Sequence, residues 1–422
     1  MNALLNFSSD VFLVAFFLYC LGFISYGMTI AGARLTKRDP EKHIRKWGRI
    51  SYVISLLGLI SHATSFITRW IGGGHIPTSN MYEFMSFFAM MIMLAFVVTF
   101  AIYRKHLIGL FTLPLTVIIV AYAMVFPQEV QPLIPALQSP WLKIHVTTVA
   151  LGEAFLAVGF AVALLQLLRI VDFREKGPRA RRSQRWVEVL MVIAVIMVGY
   201  LISVFGFRAA GYEATFLQEN VHISNAGVES TETDTVVYKL PPIFKPYNSH
   251  VQEMDSFLGL KDGLFETPHW MKGVDAARKW NTIVWSIIIG LILYALIRVI
   301  IRKPIGAVIH PLTRGMDPDD LDEISYRIIA IGYPIFTLGG LVFAMIWAYL
   351  AWSRFWGWDP KEVWALITWL YYTAYLHLRL SRGWHGEKSA WLAVIGFIVV
   401  MFTLVGVNLV LVGLHSYAGV DN

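Results

Sequence analysis

WAYLAWSRFWGWDPKEVWALITWLYYTAYLHLR, residues 347–379, holds the end of one apolar run, a tryptophan-rich polar break, and most of a second apolar run. The break, 352–364, carries four tryptophans beside Arg354, Asp359, Lys361 and Glu362. Its second half reads as a helix start. Asp359 can cap the helix, Pro360 suits the first helical position, and Glu362 can close a capping box. The segment is therefore the turn of a helical hairpin, and the rest of the chain repeats the pattern of apolar run and polar connection.

Ten apolar runs can be placed, at approximately 10–32, 50–71, 82–103, 107–126, 142–168, 187–207, 280–301, 328–351, 362–380 and 389–412. Each has the roughly 20 residues that a ~30 Å hydrocarbon core requires; the fourth is short and carries Pro114. Of 422 residues, 57% are hydrophobic and only 15% charged. These values define the fold class as all-α, a polytopic membrane protein of about ten transmembrane helices. The organisation expected is an N-terminal helix set, 1–207, an outer loop region, 208–279, and a C-terminal set, 280–422, containing the tryptophan segment 347–369.

The formal charge of +7 does not point to nucleic acid, because the basic residues fall in short loops between apolar runs. With ten spans, 24 of the 35 Lys and Arg lie on one side, in 34–49, near 104, in 169–185, 298–327 and 379–388. The positive-inside rule makes that side cytoplasmic and puts both termini and the tryptophan segment outside. The outer loops 71–80 and 127–140 contain no Lys or Arg. Loop 208–279 is long and polar, and its STETDTVVYKLPPIF has strand character. A connection of that length favours a partner contact. No Lys or Arg precedes Arg34 and no small-residue cleavage site follows the first run, so that run reads as a retained span. The single cysteine, Cys20, excludes an intramolecular disulfide and a C-x-x-C motif, and reads as a small apolar helix residue.

Each residue of the break has a plain explanation. Asp359, Pro360 and Glu362 can serve only to start a helix, and tryptophans belong at a membrane boundary. Six of them, Trp347, Trp352, Trp356, Trp358, Trp364 and Trp369, within 23 residues exceed what an interfacial belt needs. Trp352 and Trp356 are four apart, the spacing of one helical face. A broad π surface with a polar edge suits a large planar amphiphile with acidic groups, such as haem.

Four of the twelve histidines matter most. His145 opens the fifth span at its outer end, and His415 follows the outer end of the tenth. His377 lies 15 residues beyond Glu362, roughly 22 Å down the ninth span. His62 is near the middle of the second. A lone membrane histidine is commonly an interhelical hydrogen-bonding residue, yet ionisable groups inside a bilayer are also functional candidates. Neutral imidazoles on opposite faces of a haem give a six-coordinate iron. Glu153, eight residues after His145, reads as a structural, hydrogen-bonded carboxyl.

The stretch 347–379 resembles the tryptophan-rich WWD signature of the cytochrome c biogenesis proteins of the CcsA/ResC type, with WGWDPKE as its most specific core. GGGHIPTSNMYEFM (72–85), SPWLKIHVTTVALGEA (139–154) and VNLVLVGLHSYA (407–418) resemble other recurring stretches of that family. The resemblance implies a haem-handling subunit of a cytochrome c synthase (haem lyase) in the cell membrane, active with a CcsB/ResB-type membrane partner. Its cargo would be haem b, iron protoporphyrin IX, joined outside to the C-x-x-C-H cysteines of an apocytochrome c. By residue match, His145 and His415 are the outer axial ligands, and Trp352, Trp356, Trp358 and Asp359 belong to the haem-binding segment. His377 matches a ligand to haem within the membrane, with its opposite ligand from the partner; His62 is a second candidate for that place. Two rival readings are a transporter without attachment activity and a respiratory b-type cytochrome. The latter needs paired histidines on continuous helices, and Gly72-Gly73-Gly74 interrupts the 13-residue spacing of His62 and His75.

Overall fold

The computed structural model describes residues 2–35, 39–130, 138–223, 229–268 and 276–407. Two compact units emerge, one of residues 1–184 and 306–422, the other of 185–305.

The first unit is helical. Its elements are α1 (Asn2–Leu35), α2 (Pro40–Gly73), α3 (Met81–Tyr103), α4 (His106–Ala123), α5 (Pro140–Ile170) and the beginning of α6 (Pro178–Ala209). After the short α8 (Ile305–Ile309) come α9 (Pro318–Thr337), α10 (Ala344–Trp352), α11 (Pro360–Arg382) and α12 (Glu387–Met401). Among the described residues nine helices are long and apolar enough to cross a membrane, α9 and α10 counting as one run from Pro318 to Trp352. This is an all-α multi-pass membrane protein. The expected span that falls outside these nine is the one at 362–380, which is α11, whose 23 residues give roughly 34 Å of length. Its charges, Lys361, Glu362, Arg379 and Arg382, sit at its ends.

Helices overrun the apolar windows. α2 begins at Pro40 and α6 at Pro178, inside the basic connections. Hydropathy marks the lipid-solvated part of a helix, whereas Asp39, which accepts a hydrogen bond from the Glu41 amide at 3.0 Å, marks where the α2 helix begins.

α5 is the centre of this unit, packed by α3, α4, α9 and α12. Glycines let backbones meet there. A Cβ on Gly152 would stand 2.5 Å from the Phe336 amide nitrogen, and one on Gly339 would stand 2.3 Å from that of Val149. Between α9 and α10 the chain makes a π turn, Leu338–Phe343, shortly after Pro334. Proline removes one helical donor and loosens the ladder at such a place.

α1 and α2 pair along a seam of a different kind. The buried residues of α2 are Gly48, Ser51, Ser55, Gly58, His62, Ser65, Arg69 and Gly72, spaced alternately three and four apart. Ser8 and Ser65 exchange hydroxyl-to-carbonyl bonds of 2.8 and 2.7 Å, and the Ser25 and Ser51 hydroxyls meet at 2.7 Å. The apolar side chains Val53, Leu57, Ile60 and Ile67 point outward. In lipid, apolar contact gains little between helices, so small residues and hydrogen bonds make the interface.

The second unit contains the rest of α6, α7 (Ala276–Ile301) and five strands: β1 (Ala214–Ile223), β2 (Glu229–Tyr238), β3 (Phe244–Lys245), β4 (Ser249–Met254) and β5 (Phe265–Glu266). β1 runs antiparallel between β2 and β4, and β3 pairs in parallel with β5. The strand character read in 230–244 is thus realised in a small antiparallel sheet. Its core is Tyr212, Ala214, Phe216, Val236, Tyr238 and Ala277. α6 and α7 cross where Gly199 meets Gly290: a Cβ on Gly199 would be 2.5 Å from the Gly290 nitrogen.

Candidate functional site

The site begins at the first turns of α5. Ser139 caps the helix through the Trp141 amide at 3.2 Å, and Pro140 takes the first helical position. One and a half turns on, the imidazole of His145 leaves α5 toward α9 and α10. Its Nδ1 lies 2.8 Å from the Gly339 carbonyl oxygen in the π turn. A carbonyl can only accept, so Nδ1 carries the proton, and in the neutral ring the lone pair belongs to Nε2. A second bond that fixes tautomer and ring orientation is the usual setting of an iron- or zinc-ligating imidazole.

The ring of His145 lies flat against Trp347, with centroids 5.8 Å apart and planes at 10°. Trp347 is buried, and it meets Trp352 edge to face at 4.8 Å. Trp141 and Phe343 pack beside them at 6.0 Å. An imidazole held by a backbone carbonyl is thus backed by one indole that a second indole braces, a donor set that fits an axial ligand beside a planar macrocycle.

The remaining tryptophans are arranged otherwise than expected. α10 ends at Trp352, and Ser353 closes it in the left-handed region at φ +54°. Trp352 and Trp356 therefore do not share a helical face. Trp356 meets Trp358 edge to face at 6.1 Å instead, and Trp358 is 69% exposed. Phe355 turns back to stack on Tyr349 at 4.6 Å. The break is a loop that distributes its aromatic rings, because helix termination at Ser353 resets the direction of each later side chain.

Asp359 is buried and does the helix-starting work read from the sequence. Its carboxylate accepts from the Lys361 amide at 3.1 Å, and Glu362 accepts from the amides of Gly357 and Asp359 at 2.7 and 3.3 Å. α11 is then fixed against α9 and the end of α12. Trp369 Nε1 donates to Thr337 Oγ1 at 3.1 Å, Tyr333 and Thr373 hydroxyls meet at 2.6 Å, and Trp364 packs on Phe402 at 4.3 Å.

His377 stands on the exposed face of α11, its Nδ1 3.4 Å from the Ser381 hydroxyl. Ile367, Leu370, Ala374 and Ser381 are exposed on the same stripe, at helical three- and four-residue spacing. His62 is enclosed, with Tyr19 OH at 3.2 Å from Nδ1 and Ser86 Oγ at 3.0 Å from Nε2. Both nitrogens of His62 are engaged inside the α1–α2–α3 packing, whereas His377 is exposed on α11. His415 lies outside the described residues.

Sequence reasoning missed Trp347 as the indole that contacts His145, and Gly339 as its acceptor. The Gly339-Gly340 pair five residues after Pro334 was the available signal. It also missed two buried ion pairs. At one end Arg69 Nε donates to Glu83 at 2.8 Å, Arg69 also donates to the Gln128 carbonyl at 2.8 Å, and Ser79 adds two bonds to Glu83. Near the other end of α11, Arg379 donates to Asp322 and also reaches Glu323 and Ser389, both at 3.2 Å; Gln166 donates to Asp322 at 3.0 Å.

Comparison with known proteins adds an independent finding. A family model described as cytochrome C assembly protein matches residues 78–206 and 282–415. That coverage includes His145, His377, His415 and the whole tryptophan segment. The cytochrome c biogenesis protein CcsA of Trichormus variabilis is 31% identical over 370 residues, 85% of each chain. Its counterpart in Gloeobacter violaceus is 31% identical over 367 residues, 86% of this chain and 84% of the relative. That of Gloeothece citriformis is 33% identical over 353 residues, 83% and 81%.

Proposed function

Because the chain belongs to the cytochrome c assembly protein family, with a role in cytochrome c biogenesis, we propose that it brings haem b to the outer face of the cell membrane and presents it for covalent attachment to an apocytochrome c. The observation that carries this reading is the His145–Gly339 hydrogen bond with Trp347 stacked behind the ring. Bound haem would supply the vinyl groups, and the client the two thiols of its C-x-x-C-H. The chain's own residues hold and orient. His145 would hold the iron through Nε2, and His415 would supply a second imidazole. Trp352, Trp356 and Trp358 flank the macrocycle, and Asp359 fixes the loop that carries them. The reacting atoms belong to cargo and client, so the contribution of this chain is alignment.

His377 serves as a holding site within the membrane. The support is its exposed position on an otherwise mostly apolar stripe of α11, open to a second membrane subunit of the CcsB/ResB type that would supply the opposite ligand. The orientation that puts both termini and the tryptophan loop outside rests on the distribution of Lys and Arg.

The test is co-production of the chain with the partner and an apocytochrome, followed by haem staining of the denatured client and visible spectra of the purified complex. The reading requires that a His145→Ala/His415→Ala double variant lose covalent haem on the client and change the bound-haem spectrum. Full attachment with an unchanged spectrum would refute the site. Haem spectra in the complex without attachment under any condition would favour transport alone.

A further inference from the structure

The turn Phe257–Leu260 of the second unit has two properties that are unfavourable in water. Leu258 and Gly259 both adopt positive φ, +50° and +82°, and the Leu260 amide closes the turn on the Phe257 carbonyl at 3.0 Å. Such a turn prefers Asn, Asp or Gly at its first central position, and leucine there is strained. The leucine side chain is also 88% exposed, the most exposed of the large apolar side chains described. A leucine held almost fully exposed at the tip of a turn is hydrophobically misplaced in water, which indicates a different solvent.

The packing inside the unit gives the level of this turn along the spanning helices. Phe257 sits 5.5 Å from Phe207, at the end of α6, and 5.5 Å from Trp285, in the third turn of α7. The strand pair β3–β5 is tied to the same level. Asn281 accepts from the amides of Ile243 and Phe244 at 3.0 and 2.8 Å, and Trp285 Nε1 donates to the Pro241 carbonyl at 2.8 Å. Phe265 packs on Phe244 at 5.5 Å yet is 58% exposed, and Leu264 beside it is 52% exposed. Trp280, in the first turn or so of α7, is 42% exposed. Leu258, Leu264, Phe265 and Trp280 are therefore exposed apolar side chains on elements tied to the end of α6 and the first three turns of α7. Lys261 is exposed next to the turn, as are Asp255, Asp262 and Glu266, so the contact expected is through the apolar side chains.

We propose that segment 257–265 is a membrane-anchoring element that inserts Leu258, Leu264 and Phe265 into the headgroup region of the bilayer beside α7. The occupant of this apolar surface is lipid. The anchor holds the sheet against the membrane at its α6–α7 end and leaves the far end of the β1–β2 hairpin in water.

The experiment uses the full chain carrying Cys20→Ser, with either Leu258→Cys or Thr233→Cys labelled by an environment-sensitive fluorophore. Thr233 is exposed, five residues along β2 from Tyr238 and away from the helix ends. The proteins are placed in phosphatidylcholine–phosphatidylglycerol vesicles, with a nitroxide either on the lipid headgroup or dissolved in the aqueous phase. The proposal requires a blue-shifted label at 258, quenched several-fold more by the lipid-borne nitroxide than by the aqueous one, and the reverse at 233. It is overturned if the label at 258 behaves like that at 233. It is equally overturned if neither quencher reaches position 258, which would mean that protein covers the turn. None of these outcomes depends on haem binding.

Discussion

His145 and Trp347 lie in near-parallel planes, 5.8 Å between centroids and 10° between planes, where α5 comes against the α9–α10 run at glycines that include Gly152 and Gly339. The indole restricts the imidazole to one orientation while the Gly339 carbonyl restricts its tautomer. Trp347→Leu should keep the fold but loosen that ring. The expected result is a broadened, weakened haem spectrum in the purified complex and attachment reduced about tenfold, while Trp358→Leu, at a largely exposed position, should have a smaller effect on the spectrum.

Gly339→Ala places a methyl 2.3 Å from the Val149 nitrogen, where only backbone could move. A cost of about 1–3 kcal/mol is expected, as for other overpacked interiors. Thermal unfolding in detergent, followed by circular dichroism, should show the loss. Gly315→Ala, where an added Cβ meets nothing within 4 Å, is the matched control.

Asp359 separates a structural from a ligand-binding role. As a helix cap its replacement by alanine should cost about 1 kcal/mol, and asparagine should recover most of it. Haem loading should follow the same order, with Asp359→Asn close to the parent. Loading lost equally in the asparagine and alanine variants would instead mean that the carboxylate itself meets the cargo.

The Arg379–Asp322 pair is enclosed on both sides, at 4% and 6% side-chain exposure. Removing one partner strands a buried charge, so Arg379→Met alone should destabilise by about 3–5 kcal/mol. The double variant Arg379→Met/Asp322→Leu should recover a large part of that. Melting curves of the parent, of Arg379→Met, of Asp322→Leu and of the double variant form the four corners of the cycle.

His62 and His377 should behave oppositely. His62→Ala leaves Tyr19 and Ser86 without their imidazole partners inside the helix packing, and should cost about 1–3 kcal/mol. His377→Ala, on the exposed face of α11, should leave the unfolding midpoint of the isolated chain within about 0.5 kcal/mol of the parent. In the complex it should lower haem loading.

How much of this was legible beforehand varies with the kind of signal. The helices were visible because each must be apolar for some 20 residues, and Asp359 because a cap is a local device. The α1–α2 seam was not. Its buried face, from Gly48 to Gly72, is made of glycine, serine, histidine and arginine, while Ile50, Leu57, Ile60, Ile67 and Ile71 face outward. A rule that sends apolar residues inward inverts that helix. The tryptophan segment was legible as an aromatic concentration, but its geometry was not. One left-handed residue, Ser353, separates Trp352 from Trp356, and nothing in the spacing announces it. His145 was found by its position at a helix end. Its partner Gly339 lies 194 residues away, and only the fold brings the two together.

The π turn at 338–343 has a further consequence for sequence length. A wide turn accommodates an extra residue relative to an ordinary α-helix. Deleting one residue there would restore regular winding and leave α10 nearly in register with α9, but it would return the Gly339 carbonyl to the helical ladder and away from the imidazole of His145. Outside Gly339 and Gly340 this turn should accept substitution more readily than a one-residue shortening, so its length would report whether a homologue keeps the carbonyl aimed at the imidazole.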